Sequence, residues 1–147
     1  MIAFPVHIPF VEAQGFQLLR FEGGEAEIAV DVRPDQQNSW QVAHGGLLMT
    51  LLDVALAHAA RSPQPGHADD PDLGVATIEM KTSFLQPAEG RLVARARLLH
   101  RTRSLAFCEG DVRDAQGRVC AHATGTFKYL RTLGGRDRLP ARTPGTD

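Results

Sequence analysis

Between Asn38 and Ala60 the chain reads NSWQVAHGGLLMTLLDVALAHAA, and the mostly apolar run after Gly46 carries one carboxylate, Asp53. An unpaired ionised carboxylate in apolar surroundings costs several kcal/mol, so a chain that keeps one there gives it a partner or a task. Just upstream, Gly45 and Gly46 stand where a helix would start. Such a position offers free N–H groups, a partial positive charge and a backbone that another molecule can approach closely. An acid or base and a set of donors therefore lie within one short stretch, with Asn38 and His44 before them and Thr77 further on. The other chemistry-bearing residues form no comparable pattern. Cys108 and Cys120 lack metal-ligand spacing and read as free thiols in strand-like surroundings. His67, Asp69, Asp70 and Asp72 share no rigid element and read as a solvated loop, so no metal site is expected.

The elements that must position these residues follow from pattern. Pro9 at a helix start, with Gly15 as its stop, predicts a short opening helix. Alternation from Phe16 to Val32 around Gly23-Gly24 predicts a hairpin. Arg33 to Ala43 has neither period and reads as a loop. Gly45 to Ala60 predicts a helix buried nearly all round, because apolar residues occupy almost every side of it. Arg61 to Leu73 is a polar, proline-rich connection. Strands are expected over Val75 to Leu85, Leu92 to His100, Ser104 to Arg113 and Val119 to Leu130, as a four-stranded antiparallel meander. In one of them Val93, Arg95 and Arg97 alternate with Leu92, Ala94, Ala96 and Leu98, giving one dry and one wet face. The class is α+β, with the sheet curled around the helix to bury it on its dry face. The expected organisation is one domain over residues 1–130 and a loose tail over 131–147.

Composition narrows the function. The chain has 147 residues, 16 Lys+Arg against 17 Asp+Glu, a formal net charge of -1 and scattered basic residues. No nucleic-acid partner is expected from such a balance. No apolar run reaches the roughly 18 to 20 residues of a membrane span, and the N-terminus has no signal-like pattern. A cytoplasmic protein with no membrane partner is the expectation.

Asn38, His44-Gly45-Gly46, Leu52-Asp53, Thr77 and Phe84-Leu85-Gln86-Pro87, together with this order of elements, resemble the hotdog-fold thioesterases, in particular their PaaI-like (phenylacetic acid degradation) branch. The sharpest part is N-x5-H-G-G with an Asp nine positions after the His. The resemblance covers roughly Phe10 to Leu130 and implies hydrolysis of acyl-CoA thioesters, with coenzyme A as part of the substrate and no separate cofactor.

Thioester hydrolysis builds charge on the carbonyl oxygen and needs a base for water. Gly45, alone or with Gly46, is the candidate oxyanion donor, a role the resemblance gives to the glycine after the His. Asp53 is the candidate general base or nucleophile. It lies eight residues past Gly45, about 12 Å along a helix. If both act on one thioester they must come from different subunits facing each other about a two-fold axis. The resemblance similarly implies a homodimer with shared sites, paired again as a dimer of dimers. It also implies that Asn38 helps hold the attacking water, where a loop Asn would otherwise be a turn residue or cap. His44 could cap the helix, orient the loop or act on the thioester, and an orienting role is favoured. Thr77 resembles a hydroxyl facing the carboxylate. Arg101, Arg103, Ser104 and Lys128 resemble positions that touch coenzyme A, through phosphate-pairing cations, although a solvated turn reads equally well. Trp40, Met49, Leu56, Met80 and Phe84 are candidates to shape the acyl pocket, with aryl-acetyl, benzoyl-type and medium-chain groups all open. A hotdog hydratase and a non-catalytic acyl-CoA-binding module are the alternatives.

Overall fold

In the computed structural model, which describes residues 1–64, 70 and 72–143, the chain order is α1 (Pro9–Ala13), β1 (Gln17–Glu22), β2 (Glu25–Asp31), a 3-10 turn (Pro34–Gln36), α2 (Gly45–Arg61), β3 (Gly74–Phe84), β4 (Arg91–Arg101), β5 (Leu105–Arg113) and β6 (Val119–Leu130). His67 and Asp69, read above as loop residues, lie outside the described residues. The β1–β2 turn uses Gly23 and Gly24 at φ 62° and 78°, a left-handed region open to glycine at no steric cost.

The strands form one antiparallel sheet in the order β1-β2-β4-β5-β6-β3. This corrects the expected meander. β4, β5 and β6 do follow one another, but β3 crosses to the far edge and pairs with β6, while β4 pairs with β2. Alternation specifies a strand's faces and not its neighbour. The segment between β3 and β4 closes no hairpin: Ala88 O accepts from Ala43 N–H at 2.8 Å and Gly90 O from Val32 N–H at 3.0 Å. Those bonds tie it to the chain before α2 and not back onto β3.

The sheet curves around α2, whose Leu51, Leu52, Ala55, Leu56 and Ala59 are fully buried against Leu18, Ile28, Leu92, Ala94, Val112 and Phe127. Gly125 on β6 lets the helix come close, since a Cβ there would stand 3.0 Å from Phe127 and 3.3 Å from Leu56. The outer face is wet and charged, with Arg95 on Glu27 at 3.0 Å and Arg97 on Glu109. Most of the circumference of α2 is buried, in line with the expected burial nearly all round. One stripe, through Met49, Asp53, Ala57 and Arg61, stays partly exposed. The spacing of four residues puts these side chains on one face, and a single sheet covers the helix from the opposite side.

The C-terminal end of α2 is closed by two hydroxyls. Tyr129 Oη donates to Ala60 O at 2.6 Å, and Ser62 Oγ donates to Ala59 O at 3.0 Å while accepting from Gly24 N–H at 2.8 Å. After β6, Leu133 and Arg136 close a turn and Pro140 bridges to Val6, so the described part of the terminal segment runs back against the N-terminal residues. Among the described residues, no helix is long and apolar enough to cross a membrane.

Candidate active site

Asp53 finds its partner across the helix–sheet seam. Thr77 Oγ1 donates to Asp53 Oδ1 at 2.7 Å, and Oδ2 has no partner among the described residues. The pairing depends on an irregularity in β3. Thr77 lies opposite Phe127 and Glu79 opposite Thr126, leaving Ile78 as a bulge. Thr77 therefore shares the inward face with buried Phe127. The extra residue shifts the alternation by one, so Glu79 turns outward to accept from Thr126 Oγ1 at 2.7 Å. Met80, Thr82 and Phe84 then face inward again opposite Gly125, Ala123 and Ala121. Thr77 and Phe84 are seven residues apart, and in a regular strand an odd separation would place them on opposite faces.

Phe84 uses this orientation to reach the start of α2. A Cβ on Gly45 would stand 3.4 Å from its ring, so the ring lies over that glycine while remaining 52% exposed. The Gly45 N–H makes no hydrogen bond among the described residues. Gly46 differs, because its N–H donates to His44 Nδ1 at 2.8 Å. Gly46 is thereby withdrawn as a second oxyanion donor. His44 is the helix cap, one of the roles left open for it, and a neutral ring accepting at Nδ1 carries its proton on Nε2.

Asn38 organises the preceding loop. Its Oδ1 accepts from Trp40 N–H at 2.9 Å and Val42 N–H at 3.4 Å, and its backbone N–H donates to Val42 O at 2.8 Å. The loop turns through Gln41 at φ 61°, a left-handed conformation uncommon outside glycine. The Asn38 amide nitrogen has no partner among the described residues.

A residue that its sequence context does not single out holds this loop to the helix start. Gln36 is buried, donates through Nε2 to Gln14 O at 2.9 Å, and accepts His44 N–H on its own carbonyl at 2.9 Å. A glutamine in a polar loop carries no periodic signal that would single it out.

The residues matched to coenzyme A contacts cluster elsewhere, at the end of the sheet near the C-terminus of α2. The Arg101 guanidinium sits 4.2 Å over the Tyr129 ring, Ser104 O accepts from Tyr129 N–H at 2.9 Å, and Lys128 is opposite Leu105. Arg103 lies in the exposed β4–β5 turn. Within one protomer these residues and Gly45 belong to opposite ends of a 17-residue helix, which spans about 25 Å. Of the pocket-shaping candidates, Trp40 and Met49 are exposed and Met80 is partly buried, but Leu56 is fully buried in the core, facing Gly125. Leu56 is therefore core packing and not the pocket lining its apolar type suggests.

Burial pushes the Cys108 thiol up to about 12 and raises that of Cys120, so both stay protonated and poorly nucleophilic. His58 on α2 is buried, with the Phe4 and Phe21 rings edge-on to its imidazole. Its Nδ1 lies 2.7 Å from Val54 O, which only accepts, so the ring proton sits on Nδ1 and Nε2 is left without a partner. Among the described residues, no group of three or more His, Cys, Asp or Glu could hold a metal ion.

Comparison with known proteins bears on the family and the fold. The sequence model of the Thioesterase superfamily matches residues 41–121, which contain α2, Asp53 and Thr77. The chain is 27% identical over 137 residues to the medium/long-chain acyl-CoA thioesterase YigI of Salmonella typhimurium, covering 84% of this chain and 87% of that one. A variant of the phenylacetic acid degradation protein PaaI from Thermus thermophilus has a similar structure, with a TM-score of 0.72 and 30% identity over 84% of this chain and 100% of that one. A conserved protein from Pseudomonas aeruginosa superposes with a TM-score of 0.77 at 27% identity, covering 86% of this chain and 97% of its own.

Proposed function

Because the chain belongs to the thioesterase superfamily, we propose that it hydrolyses acyl-CoA thioesters to a free acid and coenzyme A, with Asp53 of one protomer and the Gly45 N–H of another acting on one substrate. The observation that carries this reading is the hydrogen bond from Thr77 to Asp53 Oδ1, which fixes the carboxylate and leaves Oδ2 for water. A water held between Oδ2 and the Asn38 amide attacks the carbonyl carbon as its proton passes to Asp53. The charge that develops on the carbonyl oxygen is received by the Gly45 N–H. The C–S bond then breaks, and the coenzyme A thiolate takes the proton back from Asp53. A positioned base contributes on the order of 10²- to 10⁴-fold and one oxyanion donor about 10²- to 10³-fold.

The two-subunit arrangement is supported by distance and exposure. Gly45 and Asp53 are about 12 Å apart along one helix, too far for one carbonyl. The outer edge of β3 pairs with no strand among the described residues, and beside it Ile78 and Phe84 are 56% and 52% exposed. Two such edges meeting about a two-fold axis would bring the open stripes of two α2 helices face to face. The basic turn with Arg101, Arg103 and Ser104, beside Lys128, is then the proposed face for the coenzyme A phosphates.

Thiol release from a panel of acyl-CoAs tests the reading. Asp53→Asn and Asp53→Ala are expected to lower kcat by roughly 10²- to 10⁴-fold, with little change in melting temperature. Tight binding without thiol release by the unmodified protein would favour a binding module. An isolated protomer in sedimentation at assay concentrations would remove the shared site. In water labelled with heavy oxygen, single-turnover label in Asp53 would replace the general base by a nucleophile.

A further inference from the structure

On the face of α2 that carries Asp53, the next residues one and two turns on are Ala57 and Arg61, and both line a cleft of about 300 Å³. Val75, two residues before Thr77 on the same face of β3, stands in its wall as well. Ile8 from the N-terminal segment and Arg138 and Leu139 from the C-terminal segment complete the walls. These two segments are fastened to each other, His7 N–H donating to Leu139 O at 3.3 Å and Val6 bridging to Pro140. The cleft therefore starts one helical turn beyond Asp53 and two strand residues before Thr77, neither of which lines it.

Its lining is apolar except for two guanidinium groups and two imidazoles. His7 Nδ1 stands 2.5 Å from Glu12 Oε2. His58 is held neutral, its pKa pushed down to about 4 by burial and by the charge of Arg61. Arg138 feels the carboxylates of Asp70 and Asp72. Arg61 has no carboxylate partner among the described residues, and its guanidinium carbon is 6.0 Å from the centre of the Phe21 ring. Burial, then Arg138, lowers its pKa to about 10, which leaves it charged at neutral pH. A cation in the last helical turn suits the helix dipole on any side of the helix. This one is on the side of Asp53, and a partly buried charge without an acid favours an incoming anion.

We propose that this cleft takes the far end of the acyl group and that Arg61 makes it select chains ending in a carboxylate, so that the preferred substrates are ω-carboxyacyl thioesters. The inference rests on the hydrolase reading above. Arg61 is eight residues from Asp53, about 12 Å along the axis, which suits a chain of medium length. A planar guanidinium can grip a carboxylate through two parallel hydrogen bonds.

The test is kcat/KM for pairs of acyl-CoAs of equal length that differ only in a terminal methyl or carboxylate, measured on the unmodified protein, Arg61→Leu and Arg61→Lys. The expected result is a preference for the carboxylate member by about 10- to 100-fold at medium length. Arg61→Leu should abolish it while retaining turnover of the methyl member, and Arg61→Lys should keep part of it. Preference for the methyl member in the unmodified protein would overturn the proposal. So would an equal rise in KM for every acyl-CoA in Arg61→Leu, since that would assign the cleft to the coenzyme A phosphates. If no thioester is hydrolysed, the hydrolase reading fails separately, and calorimetric binding of the same pairs to the unmodified protein decides the inference: tighter binding of the carboxylate member supports it and equal binding refutes it.

Discussion

At the C-terminal end of α2, Ala59 O and Ala60 O accept hydrogen bonds from Ser62 and Tyr129, whereas at the N-terminal end Gly45 keeps an N–H with no partner among the described residues. Both ends begin with the same deficit of unpaired backbone groups. The chain closes the deficit where the helix is buried and leaves it open where a ring, Phe84, and a capped loop frame an approach from outside. The stripe through Asp53 joins the two ends, so a single helix carries a closed end that holds the fold and an open end suited to chemistry.

Acid should weaken the closed half most. His58 is folded neutral with a pKa of about 4, while an unfolded histidine titrates near 6.5. Above 6.5 neither state is protonated and nothing is lost. As pH falls from 6.5 toward 4 the unfolded chain gains a proton first, and stability drops by up to about 3 kcal/mol. Urea midpoints at pH 7, 5.5 and 4 should show this loss, and His58→Leu should flatten it. Parallel pH curves for the two proteins would show that His58 is not its source.

Tyr129→Phe leaves the buried Ala60 carbonyl unpaired and should cost about 1 to 3 kcal/mol in the same unfolding experiment. At the open end, His44→Ala removes the cap and frees the Gly46 N–H, with a cost of only about 0.5 to 2 kcal/mol. Turnover should fall by more than that stability change accounts for, because the side chain that fixes the helix start beside the proposed oxyanion donor, Gly45, is lost. Equal stability losses at the two ends, with turnover unchanged in His44→Ala, would erase the contrast.

Much of this was legible in the residues themselves. The lone carboxylate of Asp53 in an apolar helix called for a partner, and Thr77 supplies it. The alternation of Leu92, Ala94 and Ala96 with Arg95 and Arg97 gave the dry and wet faces of β4. Gly46 and Leu56 were misjudged for opposite reasons. The Gly46 N–H is consumed by a side chain two residues away, and Leu56 is indistinguishable by type from a residue that lines a pocket. Gln36 and Arg61 carried no signal, since each matters through what it lies beside.

The sequence alone determined which side-chain types stand near the helix start, where α2 starts and stops, and that Asp53 and Gly45 are too far apart on one helix to share a carbonyl, because these follow from side-chain type and helical rise. Only the tertiary structure decided that β3 lies beside β6, and that a bulge at Ile78 turns both Thr77 and Phe84 toward the helix. Strand alternation is a local property with period two. Neighbour choice and a one-residue shift in register are set by packing against the rest of the sheet.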